Sequence, residues 1–306
     1  LDIQHFFYIG GNDSMDTIKQ LSEYAKAKNI TDITFMGVPK TIDNDLAVTD
    51  HTPGYGSAAK YIASTMKEII RDALVQPIKI VNIIEIMGRN AGWLTAAAAL
   101  AKGDDCEGAD LIYLPETVFD INKFVAKVQE IQKTKKQIVV AVSEGVKTAD
   151  GKYVCESASS NMLVDSFGHK QLSGTATALA NVISNEIGCK TRAIEFSTIQ
   201  RCASHIASLT DVNEAFIVGG IAVKAAFDGE TGKVGIFQRL SNKPYLMGTS
   251  IYDVNAIANV EKTVPQEWII NDGTGVSQEA LDYMRPLIQG EIYPYMVDGL
   301  PRHIKL

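Results

Sequence analysis

Short apolar runs alternate with amphipathic segments along most of this chain, and that alternation restricts the fold more than any other feature. "HFFYIG", "ITFMGV", "KIVNIIEIM", "ADLIYL", "QIVVAV" and "RAIEF" read as strands, rich in β-branched and aromatic residues. Ser14 to Lys28 reads as a helix with Ile18, Leu21 and Ala25 on one face, and Ser57 to Leu74 as another carrying Ile62, Met66, Ile69 and Ile70. "WLTAAAALA", Asn122 to Lys133, Gly174 to Ile187 and "DVNEAFIVGGIAVKAAF" are predicted helices as well. Elements of these lengths in this order form βαβ units, whose parallel strands are buried beneath helices on both faces. The expected class is α/β, with "HFFYIG" a buried strand. In such sheets ligands gather beyond the carboxyl ends of the strands, so the loops after each strand are where chemistry belongs.

Composition narrows the possibilities. The 306 residues, 46% of them hydrophobic, suffice for one large or two medium domains. A net charge of -7 disfavours nucleic acid or an anionic membrane as main partner, and no apolar run approaches membrane-spanning length. Cys106, Cys155, Cys189 and Cys202 share no metal-binding spacing and are expected as reduced thiols in a cytoplasmic protein. The histidines form no HxH or HExxH pattern, which disfavours a histidine-based metal centre. No G-x-S-x-G elbow is present, and "GGNDSM" does not supply the G-x-G-x-x-G of a dinucleotide-dependent oxidoreductase. The Lys-rich "KVQEIQKTKKQ" reads as a solvated helix end.

Five loops carry the chemistry. In "GGNDS", Gly10 and Gly11 let backbone N–H groups approach an anion, and the helix that follows, beginning near Asn12, Asp13 and Ser14, adds its dipole. The Asp13 carboxylate repels phosphate unless a metal or a lysine compensates; the plainer alternative is a glycine turn with Asp13 or Ser14 as helix cap. In "GVPKTIDND", Asp43 and Asp45 alternate, so in an extended segment both point to one side. One can then take a proton from an alcohol while the other orders a hydrated Mg²⁺. Lys40 is a compact cation suited to phosphate and Thr41 a neutral hydrogen-bonding group, with a polar Asx turn as the alternative. In "MGRNAGW", after Met87, Gly88 permits close approach and Arg89 offers its fork to sugar oxygens or phosphate, unless Asn90 merely caps a helix. "VSEG" sets Glu144 at a strand end, where it can accept from sugar hydroxyls or lie on the surface. "KTRAIEFSTIQRCASH" holds Arg192 before a strand and Arg201 after it, two cations able to clamp a phosphate. Taken together, the loops suggest phosphate groups, a polyol, Mg²⁺ and a carboxylate base, the components of phosphoryl transfer to a sugar.

In order and approximate spacing, "GGNDS", "GVPKTIDND", "IIEIMGRNAGW", "VSEG" and "TIQR" resemble the 6-phosphofructokinases, and "DVNAIANVEKTVPQEWI" looks like the pyrophosphate-dependent branch. The resemblance implies two doubly wound three-layer α/β/α domains. The donor-binding domain is expected over residues 1–54 and 200–255, the fructose 6-phosphate domain over 55–199 and 256–306. It implies phosphoryl transfer to the 1-hydroxyl of fructose 6-phosphate with Mg²⁺, from pyrophosphate, in a homo-oligomer (dimer or tetramer). An ATP-dependent enzyme and a non-catalytic regulatory paralogue are the alternatives. By motif, Asp43 would be the proton acceptor, with Lys40 and Asp13 beside it in catalysis. Gly10, Gly11, Asn12, Asp13, Ser14 and Lys40 would hold the donor, and Asp45 and Asn12 the metal. Thr41, Met87, Gly88, Arg89, Glu144, Thr198 and Arg201 would contact the sugar phosphate, with Arg192 reaching in from a neighbouring subunit.

The chain also departs from the family pattern. Many relatives have Asp in place of Asn12, His or Tyr in place of Thr198, and "QRGG" where "QRCA" stands here. The family's first βα unit, with its own Gly-rich phosphate loop, is expected before Leu1, so part of the donor pocket is expected to be absent from this chain. ATP-using relatives typically carry Gly where Asp13 stands, and many carry Gly where Lys40 stands, which points to the shorter donor.

Overall fold

The structure is a computed structural model and describes residues 2–157 and 172–305. β1 (His5–Gly10) leads through Gly11 into α1 (Asn12–Ala27), and β2 (Thr34–Pro39) into a long loop before α2 (Tyr55–Leu74). β3 (Ile80–Ile86), α3 (Trp93–Ala96), β4 (Leu111–Tyr113), α4 (Ile121–Ile131), β5 (Gln137–Ser143), α5 (Thr175–Ile187) and β6 (Lys190–Glu195) continue the alternation. After them come the short α6 (Ile199–Cys202), α7 (Leu209–Phe227), β7 (Lys233–Asn242), β8 (Tyr245–Asp253) and α8 (Gln278–Met284). "WLTAAAALA" is not one helix: α3 ends at Ala96 and a tighter 3₁₀ turn follows over Ala97–Ala101.

The chain divides into two compact units. The first comprises Leu1–Ala58, Ser204–Lys262 and Arg285–Leu306, the second Ala59–Ala203 and Thr263–Met284. The terminal segment expected with the sugar-phosphate domain therefore splits, and residues 285–306 fall with the first unit. Hydrogen bonds explain the return: Ser208, the N-cap of α7, donates from its hydroxyl to Leu287 O at 2.7 Å and Gln289 O at 3.1 Å, and Leu209 N–H donates to Gly290 O.

In the first unit the sheet order is β1-β2-β7-β8. β1, β2 and β7 run parallel, whereas β8 folds back antiparallel on β7, so this sheet is mixed rather than all-parallel. Met15 and Ile18 of α1 bury against Val234, Ile236, Val254 and Ile257 on one face, and Met36 packs with Ala225 and Ala226 of α7 on the other. Each large side chain so buried contributes roughly 1.5–3 kcal/mol. The expectation of a buried first strand is not met. β1 is an edge strand beside β2, and Phe6, Tyr8 and Ile9 are 37%, 39% and 64% exposed.

The second unit holds an all-parallel sheet, order β4-β5-β3-β6. Every residue of β3 is buried, as a central strand covered on both faces requires. Phe124 and Val128 of α4 and Leu179 and Ile183 of α5 pack on Val81, Ile83, Ile138 and Val140. That order brings the loops after β5, β3 and β6 side by side.

Candidate active site

In the first unit, two of the chemistry-bearing loops lie at neighbouring strand ends. Gly10 pairs with Pro39 in the parallel register, and Lys40 N–H donates to Gly10 O at 3.0 Å. Gly10 has no room for a side chain, because a Cβ there would meet Ser14 Oγ at 2.0 Å. Gly11 is the N-cap of α1 and no side chain caps it, so neither Asp13 nor Ser14 is spent as a cap. Asp13 stands in the first turn, and Lys40 is exposed. Asn12 is otherwise engaged: its Nδ2 donates to Val260 O at 3.2 Å, and its Oδ1 accepts from Asn259 N–H at 2.7 Å. The Asn12 carboxamide is thus tied to the Asn259–Val260 backbone, while Oδ1 keeps a second lone pair.

The Asp43 loop has a different geometry from the extended segment expected. Asn44 is fully buried with φ 55°, in the left-handed region that Asn tolerates, and the chain turns between the two aspartates. Their carboxylates nevertheless interact. Burial first, then the charges of Asp43 and Glu261, push Asp45 up to about 6, opposed by its own backbone hydrogen bond and by Lys262. Thr41 is 6% exposed, and its hydroxyl donates to Asp43 Oδ2 at 2.9 Å while accepting the Asp43 N–H at 3.1 Å. The hydroxyl expected to touch sugar phosphate thus also orients Asp43, and keeps a second lone pair.

In the second unit the loops after β3, β5 and β6 meet backbone to backbone. A Cβ on Gly145 would lie 1.9 Å from Arg89 O, and Gly88 adopts φ 147° with Ala91 O only 2.6 Å from its own Cβ position. Gly88 N–H points to Glu144 Oε1 at 3.4 Å, and Ser143 Oγ donates to Gly88 O. Gln200, 2% exposed, accepts the Met87 N–H at 3.2 Å and donates to Ser197 O at 2.9 Å. Met87, Gly88, Arg89, Glu144, Thr198 and Arg201 are therefore gathered by three adjacent strand ends, with Thr198 and Arg201 exposed at the start and end of the β6 turn. Gly92, not Asn90, occupies the N-cap of α3. Arg192 stands apart within one chain. It lies inside β6 opposite Asn82, with Nη1 3.0 Å from Asp72 Oδ2.

Glycine-rich approaches, a held carboxylate, a lysine and a cradle of Arg and Glu on parallel strand ends are the features of a sugar phosphotransferase. Residues 1–202 match the phosphofructokinase family. The chain belongs to this family. It is 39% identical over 307 residues to the pyrophosphate–fructose 6-phosphate 1-phosphotransferase of Halomonas elongata, covering 100% of this chain and 72% of that protein. To the enzyme of the same name from Xanthomonas campestris it is 42% identical over 308 residues, covering 100% of this chain and 73% of the relative. The crystal structure of a pyrophosphate-dependent phosphofructokinase from Nitrosospira multiformis matches with TM-score 0.88 at 38% identity, over 99% of this chain and 72% of that one.

Within the phosphofructokinase fold, several functional holders escape a motif reading. Gln200 sits inside "TIQR", but nothing in sequence ties it to Met87. Lys262 donates from Nζ to Asp50 O at 2.8 Å and Thr49 O at 3.1 Å, and its N–H donates to Asp45 O at 2.7 Å. Burial, against the favourable charges of Asp50 and Asp45, brings Lys262 down to about 8. It lies within "DVNAIANVEKTVPQEWI", but nothing in that segment ties it to Asp45 or Asp50.

Proposed function

We propose that the protein transfers a phosphoryl group from pyrophosphate to the 1-hydroxyl of fructose 6-phosphate, reversibly, giving fructose 1,6-bisphosphate and phosphate. The observation that carries this reading is the Thr41-held Asp43 carboxylate next to Lys40, in a chain whose whole length aligns at 39% identity with a relative named for that reaction. Asp43 accepts the proton of the attacking alcohol. Thr41 engages Oδ2, which leaves Oδ1 for the hydroxyl. The Lys40 ammonium offsets negative charge that gathers on the transferring group. Gly10, Gly11, Asp13 and Ser14 form the donor loop, in which backbone N–H groups at the start of α1 attract phosphate. The Asp13 carboxylate repels the third phosphate of a longer donor, whereas pyrophosphate ends before it. In the second unit Arg201 and Thr198 bind the 6-phosphate, and Met87, Gly88, Arg89 and Glu144 contact the sugar.

The donor set fits Mg²⁺. This ion takes one or two carboxylates and completes its shell with phosphate and water rather than a protein cage. Asp45, crowded by the charges of Asp43 and Glu261, offers such a carboxylate, and among the described residues no cluster of three or more ligands forms a cage. When bound, Mg²⁺ neutralises charge on the donor phosphates. Arg192 serves the 6-phosphate of a second copy in a homo-oligomer. Its pairing with Asp72 is exposed, so releasing it costs about 0–1 kcal/mol. No described helix is long and apolar enough to cross a membrane.

A coupled assay with pyrophosphate or ATP as donor, at saturating fructose 6-phosphate and Mg²⁺, tests this reading. Turnover with pyrophosphate well above that with ATP is expected; a preference for ATP refutes the assignment of the donor.

A further inference from the structure

The loop carrying Lys40, Thr41, Asp43 and Asp45 closes on itself. Thr41 bridges Gly54, its N–H donates to Pro53 O at 3.2 Å, and the Thr52 hydroxyl donates to Thr41 O at 2.7 Å. Thr52 N–H also donates to Asn44 Oδ1 at 3.1 Å. Thr52 therefore grips the residues two before and one after Asp43. Its neighbour His51 is 1% exposed and lies between two carboxylates, with Nδ1 2.9 Å from Asp50 Oδ1 and Nε2 2.7 Å from Glu214 Oε2. The imidazole stacks on Phe237 at 4.6 Å between centroids.

The protonation state follows from donor count. A neutral imidazole has one N–H and one lone pair, so it cannot donate at both ends; only the imidazolium can. The surroundings balance that charge. Arg239 forks onto Asp50 at 2.9 to 3.2 Å, the Tyr245 hydroxyl donates to Glu214 Oε1 at 2.7 Å, and the Arg239 guanidinium lies 5.3 Å over the Tyr245 ring. Two cations and two carboxylates thus close a ring drawn from the loop, α7, β7 and β8. Burial opposes the imidazolium, but hydrogen bonds and charge from Asp50 and Glu214 outweigh it and raise His51 above its ordinary value. α7 holds the same loop a second time, because Asp211, one turn before Glu214, accepts from Gly54 N–H at 2.8 Å and from Ser57 N–H at 3.1 Å.

We propose that His51 is a positioning residue for the phosphoryl-transfer base: a doubly donating imidazolium that, clamped by Asp50 and Glu214, fixes Thr52 and through it the Thr41 carbonyl and the Asn44 side chain on either side of Asp43. The proposal rests on the reading of Asp43 as base. It places no part of the ring on the substrate, so loss of His51 acts on turnover rather than on binding of the sugar phosphate.

Three measurements test it. Nitrogen NMR of the unmodified protein, with the His51 signals assigned by their loss in His51→Gln, is expected to show both ring nitrogens protonated at neutral pH, where an ordinary histidine is mostly uncharged. A neutral tautomer there overturns the proposal. Hydrogen exchange at the Thr52 amide is expected to accelerate about tenfold or more in His51→Gln, and unchanged exchange overturns it. These two readouts stand whether or not the protein uses pyrophosphate, so they fail independently of the proposed reaction. In the pyrophosphate assay, kcat of His51→Gln should fall about tenfold with the fructose 6-phosphate KM within about twofold. A variant that loses thermal stability alone, with kcat intact, overturns the proposal.

Discussion

Replacing Glu85 by Gln should make the second unit more stable in mild alkali and leave it unchanged in acid. Glu85 lies in β3, 4% exposed, with Oε2 accepting the Ala176 N–H at 2.9 Å in the first turn of α5. Burial pushes its carboxyl up to about 7 from the ordinary 4.5; the Ala176 hydrogen bond opposes that, and the charge of Glu195, opposite it on β6, adds to it. A carboxyl raised on folding binds its proton more tightly in the folded state than in the unfolded one. The stability it contributes is full below about 4.5 and is lost as pH rises through about 7. At ~1.4 kcal/mol per pH unit that interval amounts to about 3 kcal/mol.

Glutamine keeps an oxygen for the Ala176 N–H and carries no charge to desolvate. The stability gained by Glu85→Gln should rise from near zero at pH 4.5 to about 3 kcal/mol at pH 8, about 1 M in urea midpoint for an m of roughly 3 kcal/mol/M. Intrinsic fluorescence reports this unit selectively, because both tryptophans, Trp93 and Trp268, lie in it with ring centroids 6.0 Å apart. Urea titrations at pH 5 and pH 8, with m unchanged, give the comparison. Midpoints of variant and parent that stay parallel across this range, or a variant less stable at pH 8, would refute the linkage.

Further outcomes follow from the site. Asp43→Asn should lower kcat with pyrophosphate by about 10²-fold or more while leaving the fructose 6-phosphate KM nearly unchanged, and intact turnover would move the base elsewhere. Asp13→Gly should raise the rate with ATP and Lys40→Ala should depress the rate with pyrophosphate, so an unmoved ATP rate in the first variant removes Asp13 from donor choice. Gln200→Ala leaves the Met87 N–H without its acceptor and should raise the fructose 6-phosphate KM several-fold, at a stability cost of about 1–3 kcal/mol, as read by initial rates and urea titration. Gly145→Ala drives a methyl onto the Arg89 carbonyl and should destabilise the second unit by about 3 kcal/mol or more, which the tryptophan signal would report directly.

Much of the architecture is legible from periodicity because most strands here satisfy the same requirement. β5 reads as an unbroken apolar run, and β3 as one interrupted only by Asn82 and Glu85, since both faces of a central parallel strand are covered, and the structure buries all of β3. β1 reads the same way yet lies at the edge of the described sheet. The β7–β8 hairpin is less visible. Its outer half alternates exposed and half-buried residues, with Leu240 and Leu246 63% and 54% exposed, and only the inner half of β7 reaches the core. The return of residues 285–306 to the first unit is invisible locally, since it depends on carbonyls of Leu287 and Gln289 meeting a hydroxyl about 80 positions earlier in the chain.

The site divides along a similar line. Asp43, Lys40, Arg89 and Glu144 stand out in sequence because a charged group at the end of a buried strand needs a reason to be there. Asp13 and Asn12 illustrate the limit: both belong to the same glycine-rich motif, yet Asp13 stands in the first turn of a helix and Asn12 is tied to the Asn259–Val260 backbone. Residue type supplies the chemistry a side chain can perform, whereas its partners decide whether that capacity remains available. Thr41 shows this within a single hydroxyl, whose donor and acceptor functions are both turned onto Asp43. His51 shows it across the fold, since its two carboxylate partners are one adjacent and the other 163 positions away. A histidine without a motif gives no sign of function by itself, and His51 becomes a determinant of the base only once α7 delivers Glu214 to its second nitrogen.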